Sequence, residues 1–275
     1  MKNKITTAMS LGIINRRTGE VRTSVPFPDH ENPHILPPAD TFIWHYIKFE
    51  FFQSLLSSRA LYLSRMDCLS DKTDGMFAAA NQTSTTPIMQ RLANSSGLLK
   101  MENDAALFPA NDILRRMAFV HCWSIRRNES PRMWHAFLGD NSRSIAIRTT
   151  VGRLQEALRD QPVELARVIY YAPGKCRPDW SHSAAFLAKD REMFEHEREL
   201  RIIHTLDISK HPENLFKLIP VNFKSFSKIV VHPLSDGAFA QEVRSELAKA
   251  RIHAMVRRSS LGPSDLMAFK ASNKS

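Results

Sequence analysis

The sequence predicts an α+β fold: a single domain with a mixed, curved β-sheet flanked by helices, ending in a strand–helix–strand unit. Two observations favour this fold class. Short segments with strand character alternate irregularly with segments of helical periodicity. Hydrophobic residues make up 43% of the 275 positions and include 16 Phe and 4 Trp. This content is sufficient for a packed core, and a disordered chain would contain fewer aromatic residues.

The first half of the chain predicts an arm, a strand, a helix and a second strand. Residues 1–40 end in the Pro-rich "VPFPDHENPHILPPAD" and are expected to form an extended N-terminal arm. "TFIWHYIK" has strand character, and "FEFFQSLLSSR" carries apolar residues at helical spacing. "ALYLSR" alternates like a strand, and "MDCLSDKTDGMF" is a turn-rich acidic loop. The polar residues 78–111 predict a mobile insertion beside the functional site.

The second half predicts the remaining strands and helices of the domain, which is expected to span residues 41–262. "RRMAFVHCWSI" is a buried strand, and "ESPRMWHAFLGD" is a short helix with Ser130 as N-cap, Pro131 in its first turn and Gly139 after its end. "RSIAIRT" and "LARVIYYA" are strands around a helix at "GRLQEALRD", and "AAFLAKDREMF" is predicted as helical. "FSKIVVHPLSDGAFAQEVRSELAKARIHAMVRRS" closes the domain as the strand–helix–strand unit, before a tail at 263–275.

Charge and cysteine content restrict the class of protein. The net charge is +10 with a pI near 9.7, which favours polyanionic partners such as nucleic acid, with generic solubility as the alternative explanation. Cys68, Cys122 and Cys176 are widely spaced and form no C-x-x-C, so neither a disulfide framework nor a metal site is predicted. No signal peptide or membrane span is recognisable, so a cytoplasmic protein without a membrane partner is expected.

The segment "MFEHERELRIIH" contains the main candidate residues. As a strand it would point Glu197, Glu199 and Arg201 to one face, directly before an apolar Ile-Ile pair. Charges next to a core need partners. The three side chains therefore predict either a functional cleft or a cross-strand ion-pair network that stabilises the fold.

Four segments together resemble an uncharacterised bacterial family, catalogued as domain of unknown function 2971. They are "FIWHYIKFEFFQSLLSSRALYLSRMDCLSDKTDGMF", "VHCWSIRRNESPRMWHAFLGDNSRSIAIRT", "FEHERELRII" and "IVVHPLSDGAFAQEVRSELAKARIHAMVRRS". The sequence departs from the family pattern at Phe194, where Trp is usual, and in the acidic loop, where Ser70 to Gly75 replace Asn-Asp-Pro-Phe-Glu.

The order of candidate residues is also similar to that of the mono-ADP-ribosyltransferase superfamily, with His45, Ser124 and Glu197-x-Glu199 in sequence. This resemblance implies that the glutamates and Ser124 are catalytic and that NAD is the substrate, because a carboxylate stabilises the oxocarbenium-like state of nicotinamide–ribose cleavage. It further implies that His45 binds ribose or phosphate, that Arg201 binds the pyrophosphate, and that an aromatic ring stacks on nicotinamide. The aromatic candidates are Tyr46, Trp123 and Trp134. For His45 and Trp134, packing in the core is the favoured role, with NAD binding as the alternative.

The leading hypothesis is therefore an ADP-ribosyltransferase-like enzyme, such as a toxin or phage-defence effector, that modifies a protein or nucleic-acid acceptor. A nucleic-acid-binding or nuclease-like protein is the second hypothesis. Its nuclease form is weakened because Arg201 stands where a catalytic lysine is expected, and arginine cannot act as a base. The third is a non-catalytic interaction module. The sequence predicts no oligomeric state.

Overall fold

The computed structural model describes residues 13–14, 21–22, 36–71, 74–75, 115–139, 141–171, 187–206, 213–223 and 226–272. Most of the predicted arm, the predicted insertion at 78–111 and Cys176 lie outside these residues. The strands are β1 (Ile13–Ile14), β2 (Val21–Arg22), β3 (Phe42–Lys48), β4 (Ala60–Arg65), β5 (Ala118–Ile125), β6 (Ser144–Thr150), β7 (Glu164–Arg167), β8 (Ile169–Tyr171), β9 (Ala188–Asp190), β10 (Glu199–Thr205), β11 (Phe216–Pro220), β12 (Lys228–Val231) and β13 (Met255–Arg258). The α-helices are α1 (Phe49–Ser58), α2 (Pro131–Leu138), α3 (Val151–Ala157), α4 (Arg191–Phe194), α5 (Gly237–Lys249) and α6 (Pro263–Ser272), and Met66–Cys68 and Glu195–Glu197 form 3₁₀ turns.

A nine-stranded mixed sheet organises the chain, with β5 at its branch point. β10 pairs with β5 along the whole length of β5 on one side. On the other side, β4 pairs with the first half of β5 and β3 with its second half, so β3 and β4 diverge. β6, β12 and β13 continue the sheet beyond β3, and β11 and β7 form outer strands beside β4 and β10. The predicted fold class is confirmed.

Strand register aligns six residues in one row across this sheet. Glu199 pairs with Ser124, Ser124 with Trp44, and Trp44 with Arg148. Arg148 pairs in turn with Lys228, and Lys228 with Met255. Residues paired across strands share a sheet face, so these six side chains project from the same side. We call this side the charged face.

The predicted strand–helix–strand unit is confirmed by β12, α5 and β13. β12 and β13 pair in parallel, as a helical crossover requires. Asp236 caps α5 by accepting a hydrogen bond from the Phe239 N–H at 2.8 Å. Phe239, Val243 and Leu247 are buried, as their helical spacing predicts.

The punctuation predicted for α2 is also present. The Ser130 side chain accepts from the Met133 N–H, Pro131 occupies the first helical position, and Gly139 follows with φ of 58°. These local signals depend on neighbouring residues only, so the sequence was sufficient to predict the helix.

Two apolar layers enclose the sheet. The larger layer packs α1, α3 and α5 against the face opposite the charged face and includes Phe52, Leu63 and Val243. The smaller layer, on the charged face, packs α2 against Trp44, Tyr46 and Val230. α6 joins it through Leu266, so ten residues predicted as part of a tail are helical.

Two other predicted segments differ from the structure, and one strand was not predicted. "AAFLAKDREMF" was predicted as a helix, but Ala188–Asp190 is strand β9, paired with β8, and only Arg191–Phe194 is helical. "LARVIYYA" is divided into β7 and β8, which pair with different strands. β11 was not predicted. In each case pairing with a distant segment overrides the local pattern.

Candidate functional site

The turn before β10 separates the two candidate glutamates. Glu195–Glu197 is a 3₁₀ turn, and β10 begins only at Glu199. Arg198 between them has φ of 48°, in the left-handed region. The prediction that Glu197 and Glu199 share a strand face is therefore wrong, because this backbone reversal removes the two-residue alternation.

A cluster of five buried or nearly buried charges lies behind this turn. Arg201 on β10 bonds both carboxylate oxygens of Asp74, at 2.8 and 2.5 Å, and bonds Glu199 at 3.0 Å. Lys189 on β9 contacts Glu197 at 2.7 Å, Glu199 at 3.2 Å and Asp74 at 3.6 Å. Arg201 is 0% exposed and Glu199 5%. We call these five residues the ion cluster.

The ion cluster places its carboxylates in different electrostatic environments. Burial alone would raise the pKa of Glu199, but Arg201 and Lys189 outweigh burial and lower it to about 2. Burial also raises the pKa of Glu197, and there the Lys189 ammonium does not overcome it. Glu199 is thus a firmly ionised partner of Arg201, whereas Glu197 holds a proton more readily.

Ser124 anchors the turn rather than contacting either glutamate carboxylate. Its hydroxyl donates to the main-chain carbonyl of Glu197 at 2.7 Å and accepts from Arg126 Nε at 3.1 Å. Arg126 also bonds the main-chain carbonyl of His196. The end of β5 and the turn before β10 are therefore tied together by side chains.

His45 and Trp123 lie on the opposite face of the sheet. Because Trp44 is the register partner of Ser124, the next residue, His45, points the other way. The His45 ring packs 5.3 Å from that of Trp123 and 4.3 Å from that of His121. Burial lowers the pKa of His45 to about 4, although the hydrogen bond to the Cys122 carbonyl acts in the opposite direction and raises it. The structure does not bring His45 together with Ser124 and the glutamates.

Tyr46 and Trp134 form part of the smaller apolar layer. Their rings meet edge to face at 4.9 Å, and Trp134 is 0% exposed. The Tyr46 hydroxyl accepts the Ser130 N–H at 3.2 Å, which fixes the start of α2. Burial raises the pKa of this phenol well above its usual range. Both rings pack in the core, which is the role that the sequence analysis favoured for Trp134.

An open cleft of about 1020 Å³ lies at the end of β5, beside the turn. Ile125, Ser130, Pro131 and Tyr170 line it together with charged residues. The ionisable lining residues are Arg126, Arg132, Arg167, Arg191, Arg198, His196, Glu192 and Glu195. We call it the basic cleft, because five arginines face two glutamates.

Four of these arginines lack a carboxylate partner among the described residues, and one of the four, Arg126, bonds Ser124 and the His196 carbonyl instead. Within the part of the chain that the structure describes, Arg132, Arg167 and Arg198 form no ion pair, whereas Arg191 lies 3.8 Å from Glu195. Burial lowers the pKa of Arg126, and the neighbouring charges of Arg198 and Arg132 lower it further. Five arginines against two glutamates leave the cleft with a net positive charge, which suits an anionic ligand.

The sequence identified neither Asp74 nor Lys189 as a site residue. Asp74 lies 127 positions from Arg201, in the acidic loop whose departure from the family pattern had put its role in doubt. Lys189 was placed in a predicted helix. Arg132 and Arg198 carried no motif, because only the tertiary structure gathers them around the cleft. No group of three His, Cys, Asp or Glu side chains among the described residues is arranged to hold a metal ion.

No family model matches the chain, so the resemblance to domain of unknown function 2971 stays a prediction. No curated protein matches either. No helix in the described ranges is both long and apolar enough to span a membrane.

Three solved structures of DarT from Thermus sp. 2.9 are weakly similar to the chain. They are its complexes with NAD⁺, with ADP-ribosylated ssDNA and with carba-NAD⁺, at TM-scores of 0.38, 0.38 and 0.39. Sequence identity is 10% in each case. The matches cover 80–81% of this chain and 95–98% of the DarT chains. Similarity of this size carries no inference about function, so the functional assignment depends on the geometry of the cleft and the ion cluster.

Proposed function

We propose that this chain is an ADP-ribosyltransferase-like enzyme that binds NAD in the basic cleft and uses Glu197 as its reacting carboxylate. The observation that carries the proposal is the set of arginines around the cleft that form no ion pair among the described residues. Arg198 directly follows the turn that holds Glu197, and Arg132 lies in the first turn of α2. A site for NAD needs cations for the pyrophosphate and a carboxylate near the ribose.

The basic cleft supports binding of a dinucleotide. Its volume of about 1020 Å³ is at the upper end of the range for small-molecule sites. Arg132 and Arg198 supply guanidinium groups, whose planar donors match phosphate oxygens. An anion bound between them would also relieve the repulsion that lowers the pKa of Arg126.

Glu197 is better suited to the reaction than Glu199. The Glu199 side chain is 7% exposed and bound to Arg201 and Lys189. The Glu197 side chain is 16% exposed and, although it does not itself line the cleft, it lies in sequence between the lining residues His196 and Arg198. We assign Glu199 and Arg201 to positioning Lys189, which in turn holds the Glu197 carboxylate. His45, Tyr46, Trp123 and Trp134 are assigned to packing.

The proposed reaction uses these groups as follows. The bond between nicotinamide nitrogen and ribose C1′ breaks, and its electron pair leaves with neutral nicotinamide. The Glu197 carboxylate stabilises the oxocarbenium-like state. A nucleophile of the protein or nucleic acid to be modified then bonds to C1′ and loses its proton. The Glu197 carboxylate is suited to take up this proton, because its pKa is raised.

NAD binding by calorimetry tests the role of the basic cleft. R132Q is expected to weaken NAD binding about tenfold, about 1.4 kcal/mol, because it removes one phosphate contact. R244Q is the matched control, since Arg244 is also an exposed helical arginine but lies on α5, on the opposite face of the sheet. Equal affinities for R132Q and R244Q would argue against phosphate binding in the cleft.

Nicotinamide release and urea denaturation together separate the two glutamates. E197Q is expected to abolish nicotinamide release while changing the free energy of unfolding by less than about 1 kcal/mol, since Gln can keep a hydrogen bond to Lys189. E199Q is expected to lower the free energy of unfolding by about 3–5 kcal/mol, because it breaks a buried charge pair. Wild-type protein that neither binds nor cleaves NAD, with protein and nucleic-acid acceptors supplied, would rule out the transferase.

Nucleic-acid binding without catalysis is the second candidate, and the same arginines favour it. In that case R132Q would weaken oligonucleotide binding, and NAD would not compete with the oligonucleotide. The fully buried Arg201–Asp74 pair favours the third possibility, a structural ion cluster in a non-catalytic module. Wild-type protein that releases no nicotinamide and binds neither NAD nor an oligonucleotide would support it.

A further inference from the structure

A second group of cations lies on the charged face, near the edge of the sheet. Lys228 on β12 pairs in register with Arg148 on β6. On its other side Lys228 pairs with Met255, and Arg257 follows two residues later on the same face. Arg148, Lys228 and Arg257 therefore project together from three adjacent strands.

No carboxylate in the described part of the chain forms an ion pair with this group. Among the described residues, none of the three cations forms an ion pair, and Arg257 Nε donates only to the Met255 sulfur at 2.9 Å. Glu129 is the carboxylate whose charge reaches Lys228, and its oxygens already accept from Trp134 Nε1, Ser259 and Ser260. Burial lowers the pKa of Lys228, and the Arg148 and Arg257 charges lower it further.

Arg148 stacks on two aromatic rings. Its guanidinium carbon lies 3.7 Å from the Phe42 ring centroid and 5.6 Å from that of Trp44. Its Nε is buried and has no hydrogen-bond partner in the described structure. Stacking on two rings fixes the plane of the guanidinium, so little side-chain entropy remains to be lost when an anion binds.

We propose that Arg148, Lys228 and Arg257 form a binding site for a phosphate group, separate from the basic cleft. Three neighbouring cations that form no ion pair with a described carboxylate repel one another, and a phosphate offsets that repulsion while accepting hydrogen bonds from both kinds of side chain. The inference is independent of the NAD proposal, since it uses other residues and needs no catalysis.

The location of this site relative to the basic cleft favours a ligand that carries more than one phosphate. Ser124, at the cleft end, and Lys228 are three strands apart in the row across the charged face, about 14 Å at the usual strand spacing. Trp44 lies between them, and its Nε1 donates to the main-chain carbonyl of Arg126 at 3.0 Å. A nucleotide or an oligonucleotide could supply the phosphate group.

An NMR titration of the full chain with sodium phosphate at constant ionic strength tests the site. Saturable shifts are expected at the amides of residues 228 and 257. K228Q/R257Q is expected to weaken the phosphate affinity at least tenfold, whereas R244Q/K249Q, which removes the same charge from α5, should leave it unchanged. R257Q alone, at an exposed edge position, provides a milder variant if the double variant is unstable.

AMP and a thymidine oligonucleotide, titrated in the same way, identify the source of the phosphate. An oligonucleotide that binds at least tenfold more tightly than AMP, with both depending on Lys228 and Arg257, assigns the site to a polymer backbone. Equal affinities assign it to a free nucleotide. Absence of saturable shifts for phosphate, AMP and the oligonucleotide, or an equal loss in R244Q/K249Q, would overturn the proposal, because diffuse surface charge would then account for any binding.

Discussion

His45 illustrates how a single side chain can compensate for a break in the sheet. Where β3 and β4 diverge from β5, main-chain carbonyls lose their strand partners. His45 Nδ1 donates to the Cys122 carbonyl at 3.0 Å, and His121 Nδ1 donates to the Tyr62 carbonyl at 2.9 Å. Burial favours the neutral rings and lowers both pKa values, and for His121 the neighbouring His45 adds to the effect.

Acid stability should therefore depend on His45. The folded-state pKa is about 4 and the unfolded value 6.5, so the unfolded chain takes up the proton first as the pH falls. We expect the free energy of unfolding to decrease by at most about 3 kcal/mol on this account between pH 6.5 and 4, and to be unaffected by His45 above that range.

Urea denaturation across this pH range measures the effect. H45Q should be less stable at pH 7 but lose less stability on acidification, because Gln does not titrate. H253Q, at an exposed position, is the control and should retain the wild-type slope. A slope in H45Q equal to that of the wild type would contradict the assignment. Glu199 acts in a lower window, where stability is lost as the pH falls from 4.5 towards 2.

At the scale of elements, the loop after β4 connects the outer sheet to the ion cluster. In this loop the Asp74 carboxylate pairs with Arg201, and the Arg115 guanidinium donates a hydrogen bond to the Met66 carbonyl at 3.3 Å. Gly75 follows Asp74 with φ of 76°, a conformation that favours glycine. A Cβ there would lie 2.3 Å from the sulfur of the fully buried Met66.

G75A is accordingly expected to lower the free energy of unfolding by about 1–3 kcal/mol, because it adds both backbone strain and a steric clash. G237A is the matched control: Gly237 opens α5, and a Cβ there meets nothing within 4 Å. It should be neutral or stabilise by up to about 1 kcal/mol, since Ala favours helices. Chemical denaturation measures the free energy of unfolding of both variants. Equal values for G75A and G237A would show that the loop tolerates a side chain at Gly75.

At the scale of the whole molecule, α6 completes the layer on the charged face. Leu266 is 4% exposed and packs in the layer that contains Trp134, whereas the next residue, Met267, is 67% exposed. The chain after residue 262 thus contributes to the same core that supports the start of α2 and one wall of the basic cleft.

L266A is expected to reduce the free energy of unfolding by about 2–4 kcal/mol, because it removes buried methyl groups and leaves a cavity. M267A should change it by less than about 0.5 kcal/mol. Thermal unfolding of the two variants measures the difference. If L266A were as stable as M267A, α6 would not belong to the cooperative core.

The sequence alone determined the elements whose signals are local. Ser130, Pro131 and Gly139 delimit α2, and the spacing of Phe239, Val243 and Leu247 identifies the buried side of α5. Capping and helical periodicity act over a few neighbouring residues, so they can be recognised without knowledge of the rest of the chain. The charged segment around the start of β10 could also be identified from its local sequence. Charged residues directly beside apolar ones require partners, and this pattern is visible without the fold.

Only the tertiary structure decided how the candidate residues are arranged. One left-handed residue, Arg198, separates Glu197 from Glu199, and a register in which Trp44 opposes Ser124 turns His45 to the other face. Asp74 reaches Arg201 across 127 positions. Strand register and long-range ion pairs depend on the packing of the whole sheet, and a shift of one residue reverses every side chain of a strand. The local sequence therefore identifies charged residues that need partners, whereas the fold determines which partners they have.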